Sequence, residues 1–233
     1  MLQFNHSRIL SVCLILFAST ASYGDDWPQF RGPGGQGISK AENLPMTWSE
    51  TENIAWKTAR PGYGASSPIA LNGRLYLTCY SGYGIERDQP MADLRLHVVC
   101  IDGSGDVTAT HRLWTNTSGS NVSSPVIHDG YLYWMHEQRG IAFCAKASRG
   151  QLVYEQRLEG ARQVYASALL AEGRLYYVAR NGETFVLAAR PEFEQLAHNT
   201  LADRSTFNAS PIVCDGKLIL RSDENLYAIA KIQ

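Results

Sequence analysis

The sequence predicts an all-β protein, a propeller of about four four-stranded blades. Three observations point there. First, one phrase recurs. Ser124-Pro125-Val126-Ile127-His128-Asp129-Gly130-Tyr131-Leu132-Tyr133 is matched at 67–76, at 167–176 with Ala168 in place of proline, and at 210–219. Second, the glycines of the four copies fall at 73, 130, 173 and 216, in steps of 57, 43 and 43 residues. A fixed period of roughly 40–45 residues is that of a four-stranded blade. Third, each copy reads apolar run, acidic or Asn residue plus Gly, apolar run. That is a β-hairpin with the turn chemistry a two-residue loop requires.

In chain order, the first 24 residues read as a secretory signal. Arg8 supplies the charge, residues 9–18 the apolar run, and Ser19 to Gly24 the small residues around a cleavage site. The run is shorter than the ~20 residues a membrane span needs. Residues 25–52 form an extended Pro/Gly-rich leading segment. Pro and Gly interrupt it throughout, which excludes a helix or a central strand. It reads as a strap pinned to the body by Trp27, Phe30 and Trp48.

The repeats occupy 53–233. Strands are expected near 66–71, 74–80, 95–101 and 107–115 in the first repeat, which carries a long insertion at 81–93. They are expected near 122–127, 131–136, 141–145 and 152–157 in the second, and near 165–171, 174–179, 184–189 and 193–198 in the third. The last repeat has only three, near 207–214, 217–221 and 226–230. One strand is left over at the front, 53–58. Pairing it with 226–230 closes the last blade and hides two bare edges. Trp56 is expected to be the buried anchor of that seam.

Of the 233 residues, 45% are hydrophobic and 18% charged, with a net charge of −1. That suffices for a sizeable all-β core. No basic run marks a nucleic-acid partner. Beyond the signal, the chain has Cys79, Cys100, Cys144 and Cys214, whose disulfide state is open among three connectivities. Free thiols packed as small apolar residues are the favoured reading.

Chemistry-bearing motifs are sparse. The glycines of 32–37 lack the Gly-Lys-Ser/Thr ending of a phosphate loop. His97, His111, His128, His136 and His198 are scattered without zinc-ligand spacing. The serines recur in every repeat, which favours a structural role, because catalysis needs one asymmetric site. Tyr63, Tyr80 and Tyr83 sit in or beside Gly-rich loops and are the candidate ligand-binding residues.

Residues 130–154, with Gly130-Tyr131-Leu132-Tyr133 and then Cys144-Ala145-Lys146-Ala147-Ser148-Arg149-Gly150, carry a resemblance, as do Cys100-Ile101-Asp102-Gly103 and Trp27-Pro28-Gln29-Phe30-Arg31-Gly32-Pro33. The chain resembles the PQQ-like (quinoprotein-type) β-propeller repeat family, among its BamB-like secreted bacterial proteins. Such propellers usually have seven or eight blades, so four repeats imply a small or an incomplete ring. The resemblance implies PQQ over calcium in the enzymatic members. Their carboxylate and amide ligand set and adjacent cysteine pair are not found here, so neither PQQ nor calcium is expected. Catalytic, cofactor and metal residues are accordingly expected to be none.

The expectation is therefore a secreted or periplasmic, non-enzymatic scaffold that binds envelope proteins or glycans through its loop faces, with no membrane span after signal cleavage. One alternative is a quinoprotein-type oxidoreductase. Another is a blade-deleted remnant, without activity of its own, that oligomerises to complete its ring.

Overall fold

The computed structural model describes residues 26–59, 67–71, 74–76, 96–99, 112–120 and 122–231. The leading segment contains a 3-10 turn, Pro33–Gly35, and a short strand β1 (Ile38–Ser39). Strand β2 (Ile54–Ala59) follows. The first repeat gives β3 (Ile69–Leu71), β4 (Arg74–Tyr76), β5 (Leu96–Val99) and β6 (Arg112–Asn116). The second gives β7 (Val126–His128), β8 (Tyr131–His136), β9 (Ile141–Lys146) and β10 (Leu152–Arg157). The third gives β11 (Leu169–Ala171), β12 (Arg174–Val178), β13 (Thr184–Ala188) and β14 (Gln195–Asn199). The last gives β15 (Ile212–Cys214), β16 (Lys217–Arg221) and β17 (Asn225–Ile229).

Each full repeat is an antiparallel four-stranded blade, β7-β8-β9-β10 and β11-β12-β13-β14. In the first repeat the described pairings are β3 with β4 and β5 with β6. The last blade runs β15-β16-β17-β2, so the spare strand completes it as the strand count requires. Ala228 stands opposite Trp56 and Leu226 opposite Thr58. The hairpin turns also follow the sequence. Asp129-Gly130, Glu172-Gly173 and Asp215-Gly216 all have positive φ at both positions. That is the conformation of a two-residue loop matched to the twist of its strands.

Blade order is written in side-chain alternation. In β12, Leu175 and Tyr177 pack with Tyr133, Met135 and Cys144 of the second blade. The intervening Tyr176 and Val178 pack with Phe207, Ile212 and Ile219 on the last blade's side. In β8, Leu132 and Trp134 face the other way, towards Trp114 of the first repeat. Successive residues of a strand point to opposite faces. A strand sandwiched between two blades is therefore apolar at every position, as Tyr131–His136 and Arg174–Val178 nearly are.

The repeated serines fasten the inner strands. The Ser124 amide donates to Ser167 Oγ at 2.9 Å, the Ser167 amide to Ser210 Oγ at 2.9 Å, and the Ser210 amide to Ser67 Oγ at 3.0 Å. The second blade is thus tied to the third, the third to the fourth and the fourth back to the first. The junction from first to second repeat is made by Trp114. Its indole N–H donates to the Ala147 carbonyl at 2.8 Å, and its ring covers Gly150. Gly150 has φ +66, and a Cβ there would lie 2.4 Å from the ring. Gly150→Ala is expected to destabilise the protein by roughly 2–5 kcal/mol, from left-handed strain plus overpacking. Denaturant melts of the two proteins measure it, and an unchanged midpoint would remove Trp114 as the clasp of this junction.

The leading segment runs along the inner strands. Trp27 exchanges two backbone hydrogen bonds with Ala70 of β3, both 2.8 Å. Arg31 donates to the Pro125 carbonyl just before β7 at 2.7 Å. Strand β1 pairs in parallel with β11. Leu44 and Trp48 lie in one core cluster with Ile212 and Val213 of β15. The segment therefore reaches all four repeats, at or beside their first strands. Trp27 and Trp48 pin it as expected, being almost wholly buried. Phe30 does not, since it is 55% exposed. Trp56 departs from expectation in the same way. It stands on the outermost strand of its blade and is 38% exposed, so the seam rests on backbone pairing rather than on a buried indole.

Candidate functional site

Antiparallel blades put two sets of loops on each end of the propeller. The turns joining second to third strands (137–140, 179–183 and 222–224) share one face with the connections from blade to blade (158–168 and 200–211). That face carries a polar cleft of about 400 Å³ lined by Arg162, Gln163, Arg180, Asn181 and Thr206. Three segments build it: the connection after β10, the turn after β12 and the connection after β14.

Arg180 is held in a fixed pose. Its amide donates to the Gln163 carbonyl at 2.8 Å, and its carbonyl accepts from the Phe207 amide at 3.0 Å. Its Nε donates to Asn208 Oδ1 at 2.9 Å and its Nη1 to Gln163 Oε1 at 2.5 Å. Gln163 is itself oriented, donating through Nε2 to Gln138 Oε1 at 2.8 Å. The guanidinium lies over the Tyr165 ring, 4.5 Å from its centroid. Every one of these partners is neutral. Beside them Asn181 Oδ1 is buried and accepts no hydrogen bond. The nearest carboxylate of the turn, Glu183, is engaged with His198 Nε2 at 3.2 Å.

The same face holds a second polar assembly, between the last connection and the turn after β16. Asp203 accepts from Ser222 Oγ at 2.5 Å, Asn225 Nδ2 at 2.9 Å and Tyr227 OH at 2.8 Å. It also accepts from the Ser205 amide at 2.8 Å and from Ser205 Oγ at 2.6 Å. Burial acts to raise the Asp203 pKa. The hydrogen bonds from Ser205, Ser222 and Asn225 outweigh it and hold the carboxyl well below its usual range. These bonds fasten the connection at 200–211 to β17 and the turn after β16.

Tyr63, Tyr80 and Tyr83, the ligand-binding residues expected from the sequence, lie outside the described residues, as do Cys79 and Cys100. Cys144 is a buried free thiol and Cys214 a half-buried one. Burial pushes the Cys144 thiol up to about 11, where it is inert at neutral pH. His136 sits below its usual pKa, first from burial and then from Arg139. Among the described residues no group of three His, Cys, Asp or Glu side chains is placed to hold a metal ion. The Arg180 cleft was not read from the sequence. Its residues come from loops of three segments, and a lone Arg-Asn-Gly turn carries no recognisable spacing.

Trp27, Leu44 and Trp48 of the leading segment lie in one core cluster with the third and last blades. Among the described residues no helix is long and apolar enough to cross a membrane.

No family profile matches the chain, and no curated protein matches it. Solved structures do. A quinohemoprotein alcohol dehydrogenase from Comamonas testosteroni is 12% identical, with a TM-score of 0.42 over 85% of this chain and 35% of that one. A europium-containing methanol dehydrogenase is 8% identical, with a TM-score of 0.37 over 78% of this chain and 32% of that one. BamB from Moraxella catarrhalis is 12% identical, with a TM-score of 0.33 over 73% of this chain and 58% of that one. The chain thus spans less than two thirds of each of these proteins. Quinoprotein dehydrogenases and BamB are thus among the structures to which it is similar.

Proposed function

We propose that this protein is a secreted or periplasmic, non-enzymatic propeller that binds protein or glycan partners of the cell envelope through its loop faces. One observation carries the reading: the loop face presents an open polar cleft around a fixed, neutral-partnered Arg180. A rigid scaffold with polar groups displayed on its loops suits binding. Fold alone does not bring an activity with it. The oxidoreductase alternative has no placed ligand set among the described residues to favour it.

The test uses the purified, signal-cleaved protein in two assays. Incubated with PQQ and calcium, it is expected to show no saturable quinone binding and no dye-linked oxidation of alcohols or sugars. Used as bait on an envelope extract and on a glycan array, it is expected to retain a discrete, competable partner. A stoichiometric quinone complex with turnover would replace the scaffold reading with the oxidoreductase one.

A further inference from the structure

Resting on that scaffold reading, we propose that the Arg162–Arg180 cleft is a binding site for a small hydroxylated acid, an acidic sugar whose carboxylate is received by Arg180. The argument starts from charge. An arginine that serves only the fold is commonly neutralised by a carboxylate, because leaving the charge uncompensated in a partly buried place is costly. Arg180 is half-buried, and it is oriented by Asn208, Gln163 and the Tyr165 ring, all neutral. Its Nη2 group makes none of these bonds, and the fork is fixed before any ligand arrives. A planar fork of donors matches a carboxylate in two parallel hydrogen bonds.

The rest of the lining suits the remainder of such a ligand. Exposed Arg162 brings a second positive charge to the same cleft. Asn181 adds a side-chain amide to the lining. Thr206 adds a hydroxyl and Gln163 an amide. A cleft of about 400 Å³ is of the size that takes one sugar ring, within the ~300–1,000 Å³ of small-ligand sites. Two carboxylates border the region without closing it. Glu183 is held by His198, and Asp223 is attached through its amide to the Thr206 carbonyl at 2.8 Å.

The experiment is calorimetric titration of the purified protein with glucuronate, glucose and glucose 6-phosphate, repeated on Arg180→Gln and Arg162→Gln. Glucuronate is expected to bind saturably and glucose at least about tenfold more weakly, since charge-assisted hydrogen bonds are roughly twice as strong as neutral ones. Arg180→Gln is expected to lower glucuronate affinity tenfold or more. Arg162→Gln, at an exposed position where folding is not at stake, is expected to lower it by a smaller factor with an unchanged melting point. Equal affinity for glucose, tighter binding of glucose 6-phosphate, binding unaffected by both substitutions, or no binding of any of the three would each overturn the assignment. If none binds while the bait still retains an envelope partner, this site is lost and the scaffold reading stands. If quinone turnover appears instead, the scaffold reading itself falls.

Discussion

Deleting residues 53–58 is expected to give insoluble or oligomeric protein. Strand β2 covers β17 along five paired positions, from Asn225 opposite Ala59 to Ile229 opposite Ile54. Leu226, Tyr227, Ala228 and Ile229 are buried in the core that β17 shares with the third blade and the leading segment. Without β2, β17 becomes an edge with a row of unpaired amides and carbonyls, a template for another chain. Light scattering and thermal melts read the result, and a deletion that stays monomeric with an unchanged melting point would show that the blade is not held this way. Trp56→Ala is the informative companion. With the indole 38% exposed, its loss is expected to cost less than about 2 kcal/mol, because only part of its apolar area leaves water. Lys57 places its ammonium 5.2 Å from the Tyr227 ring centroid across the same seam. Deleting residues 25–31, which the sequence makes the milder change, is expected to be severe as well. It removes the buried Trp27 ring and the backbone bonds to Ala70.

What was legible in the sequence was whatever is local and repeated. The Asp-Gly and Glu-Gly turns declare themselves because only a few residues tolerate two successive positive φ angles. The spare strand was legible by counting. The role of Ser67, Ser124, Ser167 and Ser210 was half legible: recurrence marked them as structural, but their amide-to-hydroxyl chain joins residues 43 or 143 positions apart. What was not legible depends on which side of a strand faces a neighbour. Trp56 and Trp114 occupy matching places before their serines, yet Trp114 lies on a described turn, Ala147–Gly150, while Trp56 stays partly in solvent. The cleft escaped for the same reason. Arg162, Arg180 and Thr206 come from the connection after β10, the turn after β12 and the connection after β14, and no spacing announces their meeting. Tyr63, Tyr80 and Tyr83 were chosen for residue type in Gly-rich loops, a local signal, and fall outside the described residues.

Replacing Asp203 by alanine is expected to cost about 3–5 kcal/mol, since hydrogen bonds to a charged group contribute ~1.5–3 kcal/mol each and are not additive. The carboxylate gathers donors from Ser205, Ser222, Asn225 and Tyr227. Ser222 and Tyr227 are themselves buried, so truncation strands their hydroxyls away from water. Tyr227 also carries the seam, lying opposite Lys57 and stacked on Phe207 at 6.2 Å, so loss of its anchor loosens the same blade that β2 completes. At ~2–4 °C per kcal/mol for a chain of this length, the melting point falls by roughly 6–20 °C. The effect depends on pH with a definite sign. Asp203 has its folded pKa held below the ordinary value of about 3.9, so its stabilisation is complete above that value and disappears as pH falls below it towards the folded pKa. Wild-type stability should therefore decline as pH drops below about 4, and the gap between wild type and Asp203→Ala should narrow over the same interval. Asp203→Asn keeps the shape but turns an NH2 group towards donors, so it should recover only part of the loss and show none of this acid dependence. Denaturant melts of the three proteins at pH 7, 5 and 3 decide it. A gap that stays constant across that range would mean that the hydroxyls and amides hold the connection without the charge.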